Sequence, residues 1–309
     1  MEQSDEKIGI IYTASSYLLW GFLPIYWKLI QEVPAGEILA HRIIWSFLFM
    51  VAVVLLSRKW RAFMHECKVI IKDKRKLIGI SLASITISLN WLTYIWAVNS
   101  GHVIQASLGY YINPLVSILL GIIVLNESLT RRQLLSFILA GAAVIYLTFS
   151  YGVFPWVALS LAFSFGLYGL LKKMVDISVM FGLAIETMIV TPLALIYVPV
   201  FTDNTFVHND MLSGTNLLLI GAGIATAIPL LLFASGAKKI PLSMVGFLQY
   251  IAPTIMLILG VFLYHETFSL SHLVSFSLIW VALIIYMGSS YRRPSKRKRL
   301  IQDVQMNQK

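Results

Sequence analysis

Two stretches of this chain, 104–126 and 243–265, are related by a constant offset, and that relation constrains the fold more than any other feature. Each is about twenty mostly apolar residues long, enough at about 1.5 Å per residue to cross a hydrocarbon core of roughly 30 Å. Each carries a proline and, seven residues later, a glycine: Pro114 and Gly121, then Pro253 and Gly260. A glutamate follows each stretch, Glu127 or Glu266. Shifting 99–147 by 139 positions without a gap also pairs Tyr111 with Tyr250, Ile112 with Ile251 and Leu120 with Leu259. Leu134, Ser136, Phe137, Leu139 and Ile145 meet identical residues in the same frame. Shared apolar composition yields scattered matches, not Tyr-Ile-x-Pro, Gly and Glu in register, so the chain contains an internal repeat.

Of the 309 residues, 58% are hydrophobic and 12% charged, where a soluble domain carries about a quarter charged. The apolar residues come in blocks near membrane-spanning length, which excludes strands and a large soluble domain. The fold class is therefore an all-α polytopic membrane protein. Ten spans are expected, at about 8–30, 37–56, 77–98, 104–125, 133–150, 153–172, 179–201, 216–235, 243–264 and 268–290. The first is read as a retained helix rather than a cleaved signal, because MEQSDEKIG is acidic and no small-residue cleavage pattern stands out.

The formal charge of +10 does not point to nucleic acid, because the basic residues sit in alternate loops. Arg58, Lys59, Arg61, Lys68, Lys72, Lys74, Arg75 and Lys76 share one loop; Arg131 with Arg132, Lys172 with Lys173, and Lys238 with Lys239 mark three more. The tail after 290 is also basic, and the intervening connections hold no Lys or Arg. The positive-inside pattern places both termini in the cytoplasm. Five spans per half is an odd number, so the second copy enters from the opposite side. The expected organisation is a first five-helix repeat at 1–150, an inverted second repeat at 151–290, and a basic cytoplasmic tail at 291–309, around a central cavity. At an offset of 145, Ser15/Ser160, Gly21/Gly166 and Lys28/Lys173 also coincide, a match near chance by itself. Residues 57–76 mix Trp60, Phe63, Met64, Val69, Ile70 and Ile71 with basic side chains, as an amphipathic segment on the inner leaflet does.

The words WGFLPIYWK (20–28), EILAHRIIWS (37–46), NW (90–91), SLGYYINP (107–114), LAFSFGLYGL (161–170), FLQYIAP (247–253) and WVAL (280–283) resemble the RarD proteins. These form a branch of the EamA group within the drug/metabolite transporter superfamily, named as chloramphenicol-sensitive or chloramphenicol-resistance permeases. The resemblance covers nearly the whole chain. It implies ten helices in two inverted halves, in a bacterial inner membrane, with the first, third and fourth helices of each half lining the cavity and the second and fifth further out. It does not fix the substrate.

Ionisable groups inside spans are costly and each invites a functional reading. Lys28, His41, Arg42 and Glu186 are the gating or coupling candidates. Glu37 and His41, four apart, share a helix face, while Arg42 is turned about 100° away; the set reads as a polar gate or anion-binding corner, or as an interfacial helix start. Glu186 reads as a proton-coupling carboxylate, or as a structural partner of Arg42 or Lys173. The substrate-binding candidates are Asn90, Trp91 and Tyr94 in the third span, Tyr110, Tyr111 and Asn113 before Pro114, and Gln249 and Tyr250 before Pro253. The two prolines bend their helices and free the carbonyls of Tyr110 and Gln249, which a membrane tolerates only against protein or a watery cavity. The alternative is that Tyr and Asn cement helix contacts.

No enzyme is expected: no HExxH, P-loop or Ser/His dyad is visible, and no aspartate falls inside a span. One cysteine, Cys67, and scattered histidines leave no metal site, and no cofactor is expected. The expected function is a secondary transporter moving a small organic metabolite or drug by alternating access, with protons as an optional coupling ion. The expected partners are that small molecule, the lipid bilayer and, as an open option, a second copy in a homodimer. The competing class is a non-transporting membrane sensor or assembly partner, which an apolar bundle centre would favour.

Overall fold

A computed structural model describes residues 2–99, 103–152, 154–202, 205–208, 212–264 and 269–290. The described residues form helices and no strand. The basic tail at 291–309 and Glu266 lie outside them. In chain order the helices are α1 (Glu2–Lys28), α2 (Ala35–Leu56), α3 (Trp60–Lys72), α4 (Lys74–Asn99), α5 (Val103–Leu125), α6 (Arg131–Tyr151) and α7 (Trp156–Met174). There follow α8 (Val179–Phe201), α9 (Thr205–His208), α10 (Gly214–Ala237), α11 (Leu242–Gln249), α12 (Ile251–Ile258) with a π-helical end (Leu259–Leu263), and α13 (Leu270–Ser290). Nine of these helices, and α11–α12 with its π-helical end taken as one, make ten segments long and apolar enough to cross a membrane. Side chains such as Ile123, Phe149, Phe262 and Ile284 point outward and are exposed, as lipid contact allows and water does not.

Local chemistry sets the helix ends. Proline at the N-cap of α2, α7 and α11 (Pro34, Pro155, Pro241) fixes φ and turns the preceding chain away from helix. Pro155 starts the sixth span at Trp156 rather than at the expected 153. Thr130 and Gln133 form a reciprocal capping box that opens α6. That helix ends on Gly152 in the left-handed region, φ 68°, where glycine carries no Cβ penalty. The amphipathic loop is the helix α3, which buries Phe63 and Ile70. The short α9 was not expected.

α5 lies between α7 and α11, α10 between α1 and α2, and α4 against α7 and α8. α12 packs on α1, and α2 on α8, while α6 and α13 pair with each other at the edge. One core centres on Tyr17, Tyr168, Phe233 and Phe247, with the Tyr168 and Phe233 rings stacked at 6.1 Å. A second holds Tyr111, Tyr250 and Phe276 between α5, α12 and α13.

Proline acts differently in the two copies of the repeat. α5 runs through Pro114 without interruption. In the second copy the α-helix stops at Gln249 and restarts at Ile251, so Pro253 sits in the first turn of a new helix. That position suits proline, since its missing N–H would have no helical partner there.

Candidate functional site

A cavity of about 360 Å³ lies in the bundle, within the usual range for a small-molecule site. Its wall comes from α1, α4, α5, α7, α10, α11 and α12, with a single residue from α2. In α1 the lining residues Tyr17, Trp20, Pro24 and Trp27 recur every three or four positions, one face of a helix. The lining residues of α1, α4 and α5 occupy the half of each helix away from the basic loops, while those of α7, α10 and α11–α12 lie near mid-span, so the cavity runs from mid-bundle toward the side away from the basic loops.

Of the residues singled out from sequence, Arg42, Asn90, Trp91, Tyr94, Tyr110, Asn113, Gln249 and Pro253 come together on this cavity. Asn90 donates through Nδ2 to the Leu161 carbonyl at 2.9 Å and to Ser164 Oγ at 2.8 Å, which ties α4 to α7. Tyr94 and Tyr110 meet edge to face with ring centroids 6.0 Å apart. Gln249 Oε1 accepts from Ser117 Oγ at 3.4 Å. Asn113 Oδ1 and the Tyr17 hydroxyl, both buried, have no hydrogen-bond partner among the described residues.

Arg42 is the one residue of α2 on the wall, although the second helix of each half was expected further out. Gly223 brings α10 close: a Cβ there would stand 2.3 Å from the Trp45 carbonyl carbon. Ser46 Oγ donates to the Gly223 carbonyl at 3.0 Å. Arg42 Nε donates to Thr226 Oγ1 at 3.0 Å. The guanidinium carbon lies 4.7 Å from the centre of the Trp27 ring and 5.1 Å from that of Trp91, distances at which an aromatic face attracts a cation.

The other candidates lie elsewhere. Tyr111 and Tyr250 are turned into the second core, with Tyr111 edge-on to Phe276 at 5.2 Å. Pro114 is packed against α11, where Gly246 makes room: a Cβ there would come 2.6 Å from the Pro114 carbonyl oxygen. Lys28 sits 4.0 Å over the Tyr264 ring. His41 lies 3.8 Å from Glu37 and against the Phe206 ring, and Thr205 Oγ1 donates to Glu37 at 3.0 Å. Glu186 pairs with neither Arg42 nor Lys173. Its partner is Lys172, at 2.8 Å, with the Tyr168 hydroxyl donating at 3.3 Å. Tyr168 and Lys172 are one turn apart and face α8, while Lys173 is rotated away.

The half of the bundle beside the basic loops is held by polar contacts. Glu127 accepts from the backbone N–H groups of Leu242 and Ser243, at 2.6 and 2.9 Å. A Cβ on Gly121 would stand 2.8 Å from that carboxylate, which is a physical reason for glycine and glutamate to travel together in the first copy. Lys173 donates to the carbonyls of Ala237 (3.2 Å) and Ile240. Lys238 donates to the Ile177 carbonyl. Burial, with the Lys172 charge close by, pushes the Lys238 ammonium below the usual lysine range.

Trp20, Trp27, Phe165 and Thr226 are cavity residues that sequence reasoning did not select. The spacing of Tyr17, Trp20, Pro24 and Trp27 was a usable signal; for Thr226 there was none. No group of three or more His, Cys, Asp or Glu capable of holding a metal occurs among the described residues.

A sequence profile of the EamA-like transporter family matches twice, over residues 7–149 and 155–288. The chain is 51% identical over 298 residues to an uncharacterized transporter, YojE, of Bacillus subtilis, spanning 96% of this chain and 99% of that one. It is 44% identical to the protein RarD of Salmonella typhi, over 96% and 100%. Against the chloramphenicol-sensitive protein RarD of Pseudomonas aeruginosa it is 25% identical, over 94% and 97%. A solved crystal structure at 16% identity superposes with a TM-score of 0.70, over 92% of this chain and 99% of that one.

Proposed function

The chain belongs to the EamA-like transporter family, and on that premise we propose that it is a secondary carrier moving a small organic molecule across the inner membrane by alternating access. The observation that carries this reading is the cavity itself, lined by polar and aromatic side chains from both halves and set toward one end of the bundle. A non-transporting sensor needs no such site, and an apolar centre would have favoured it.

Two inverted repeats, 1–150 and 151–290, are part of the reading. The double family match supports them. So does a pair of contacts: a Cβ on Gly21 would meet Ile255, and one on Gly166 would meet Val116. Gly21 and Gly166 are related by the offset of 145, Val116 and Ile255 by that of 139. Two independently chosen offsets therefore meet at one contact, as an approximate two-fold exchange of the halves requires.

With the basic loops in the cytoplasm, the contact of Glu127 with α11 joins the two halves on the inner side, and the cavity belongs to an outward-facing state. The continuous α5 and the broken α11–α12 give the two copies different shapes. Exchange of those shapes between copies would carry the site to the other side. Glu186, paired with Lys172 and absent from the cavity wall, serves this reading as a contact that holds α7 to α8.

The test is transport by the purified chain in liposomes, screened over metabolites and amphenicol-type drugs, with and without a proton gradient. Saturable, substrate-dependent flux supports the carrier. Absence of flux across the panel, with the protein folded and inserted, would return the sensor reading.

A further inference from the structure

We propose that Arg42 makes the cavity selective for a small organic anion, a carboxylate borne on a flat or branched apolar body. The inference rests on the cavity being the binding site and adds the charge of what it binds.

Among the described residues lining the cavity, Arg42 is the only ionised side chain. The ion pairs among the described residues are His41–Glu37, Lys172–Glu186 and Lys239–Asp5, and none involves it. Nε is satisfied by Thr226. That is its one side-chain hydrogen bond among the described residues, Tyr110 and Tyr94 are the neutral phenols near it, and arginine has no means of losing its charge. A guanidinium taken from water into a bundle without a counter-charge is costly. The Trp27 and Trp91 rings, 4.7 and 5.1 Å from the guanidinium carbon, offset part of that cost, but a ring is not the paired acceptor that a carboxylate offers the N–H donors. A cavity with one fixed positive charge and no negative one attracts anions and repels cations.

The remaining wall defines the rest of the ligand. Trp20, Trp91, Tyr110 and Phe165 present ring surface, suited to an apolar body. Asn113 Oδ1 and the Tyr17 hydroxyl are polar atoms cut off from water without a partner. Buried polar groups of that kind are normally paired; closed to water, these two are closed to a ligand as well until the wall moves.

The experiment measures thermal stabilisation of the purified full-length protein by compounds in matched sets. Each phenylalkyl or branched-chain skeleton is supplied as carboxylate, primary amide and primary amine. A ligand that binds only the folded state raises the midpoint, and at equal concentration the tighter ligand raises it more, with the logarithm of its affinity. Carboxylates should stabilise most and amines least. Arg42→Gln should weaken the best carboxylate at least tenfold while leaving its amide within about twofold, and Arg42→Lys should retain part of the preference. If amides or amines stabilise the parent as well as the carboxylates do, anion selectivity is wrong and the cavity stands as a binding site. Anion selectivity is equally wrong if Arg42→Gln folds and binds carboxylates normally. If Arg42→Gln does not fold, the charge series on the parent decides alone. If no compound of any charge stabilises the protein, the anion assignment is wrong, and the flux assay decides the carrier reading separately.

Discussion

The Tyr250 hydroxyl donates to the Tyr111 carbonyl at 3.3 Å, and the two residues are 139 positions apart, the offset of the internal repeat. Two residues paired by that offset thus touch each other. Both tyrosines are buried, against α13 and away from the cavity. Tyr250→Phe removes one buried hydrogen bond, and about 1 kcal/mol of stability should go with it. Substrate affinity should hold. Tyr110→Ala, one position from Tyr111 but on the cavity wall, should raise the KM for transport instead. Thermal unfolding and uptake kinetics on the two variants check the contrast; a raised KM in Tyr250→Phe would put that ring in the site.

Lys172 and Glu186 form a buried pair, so removing one partner strands the other. Glu186→Gln should destabilise the protein by about 3–5 kcal/mol. Adding Lys172→Met should recover most of that loss, whereas adding Arg42→Gln should recover none. A double-mutant cycle on unfolding midpoints reads the coupling. Independent effects of the Lys172 and Glu186 changes would refute the pair.

Pro253→Ala lets the helix run on from α11 into α12, and Pro114→Ala alters an already continuous α5. Both should insert at parental levels, because alanine is the better helix former. Pro253→Ala should reduce transport the more, since it removes the asymmetry between the copies. The measurement is flux divided by the amount of protein in the membrane. Equal losses would mean that the break at Tyr250 has no part in the cycle.

Glu127 holds the start of α11 through two charge-assisted hydrogen bonds. Losing bonds of this type costs about 1.5–3 kcal/mol. Glu127→Ala loses two such bonds and should therefore raise the population open on the basic-loop side by about a hundredfold or more. A cysteine at Ser117, buried beneath that closure, should gain reactivity toward an impermeant thiol reagent applied from the inside, in a background lacking Cys67. Unchanged reactivity would show that the closure does not depend on Glu127.

Orientation is tested by single cysteines at the exposed Glu32 and Lys74. Reagent added outside should label the first and spare the second. Labelling of Lys74→Cys from outside would invert the topology and the assignment of the open side.

Span number and family were readable along the chain, because each depends on local properties. Hydropathy over about twenty residues decides whether a segment crosses a membrane, and identity in register needs no coordinates. The site was readable only as neighbourhoods. Tyr110 lines the cavity while Tyr111 enters the core; Arg42 reaches the cavity while His41 turns to Phe206; Lys172 meets Glu186 while Lys173 caps the end of α10. In each couple the two side chains leave the helix about 100° apart. Sequence marked the couple, and the rotation of the helix against its neighbours chose the member. In these apolar segments hydrophobicity runs nearly all the way round, so no polar stripe announces that rotation. It is set instead by close approaches such as Gly223 against Trp45 and Gly246 against Pro114, contacts between residues far apart in the chain that only the packed bundle brings together.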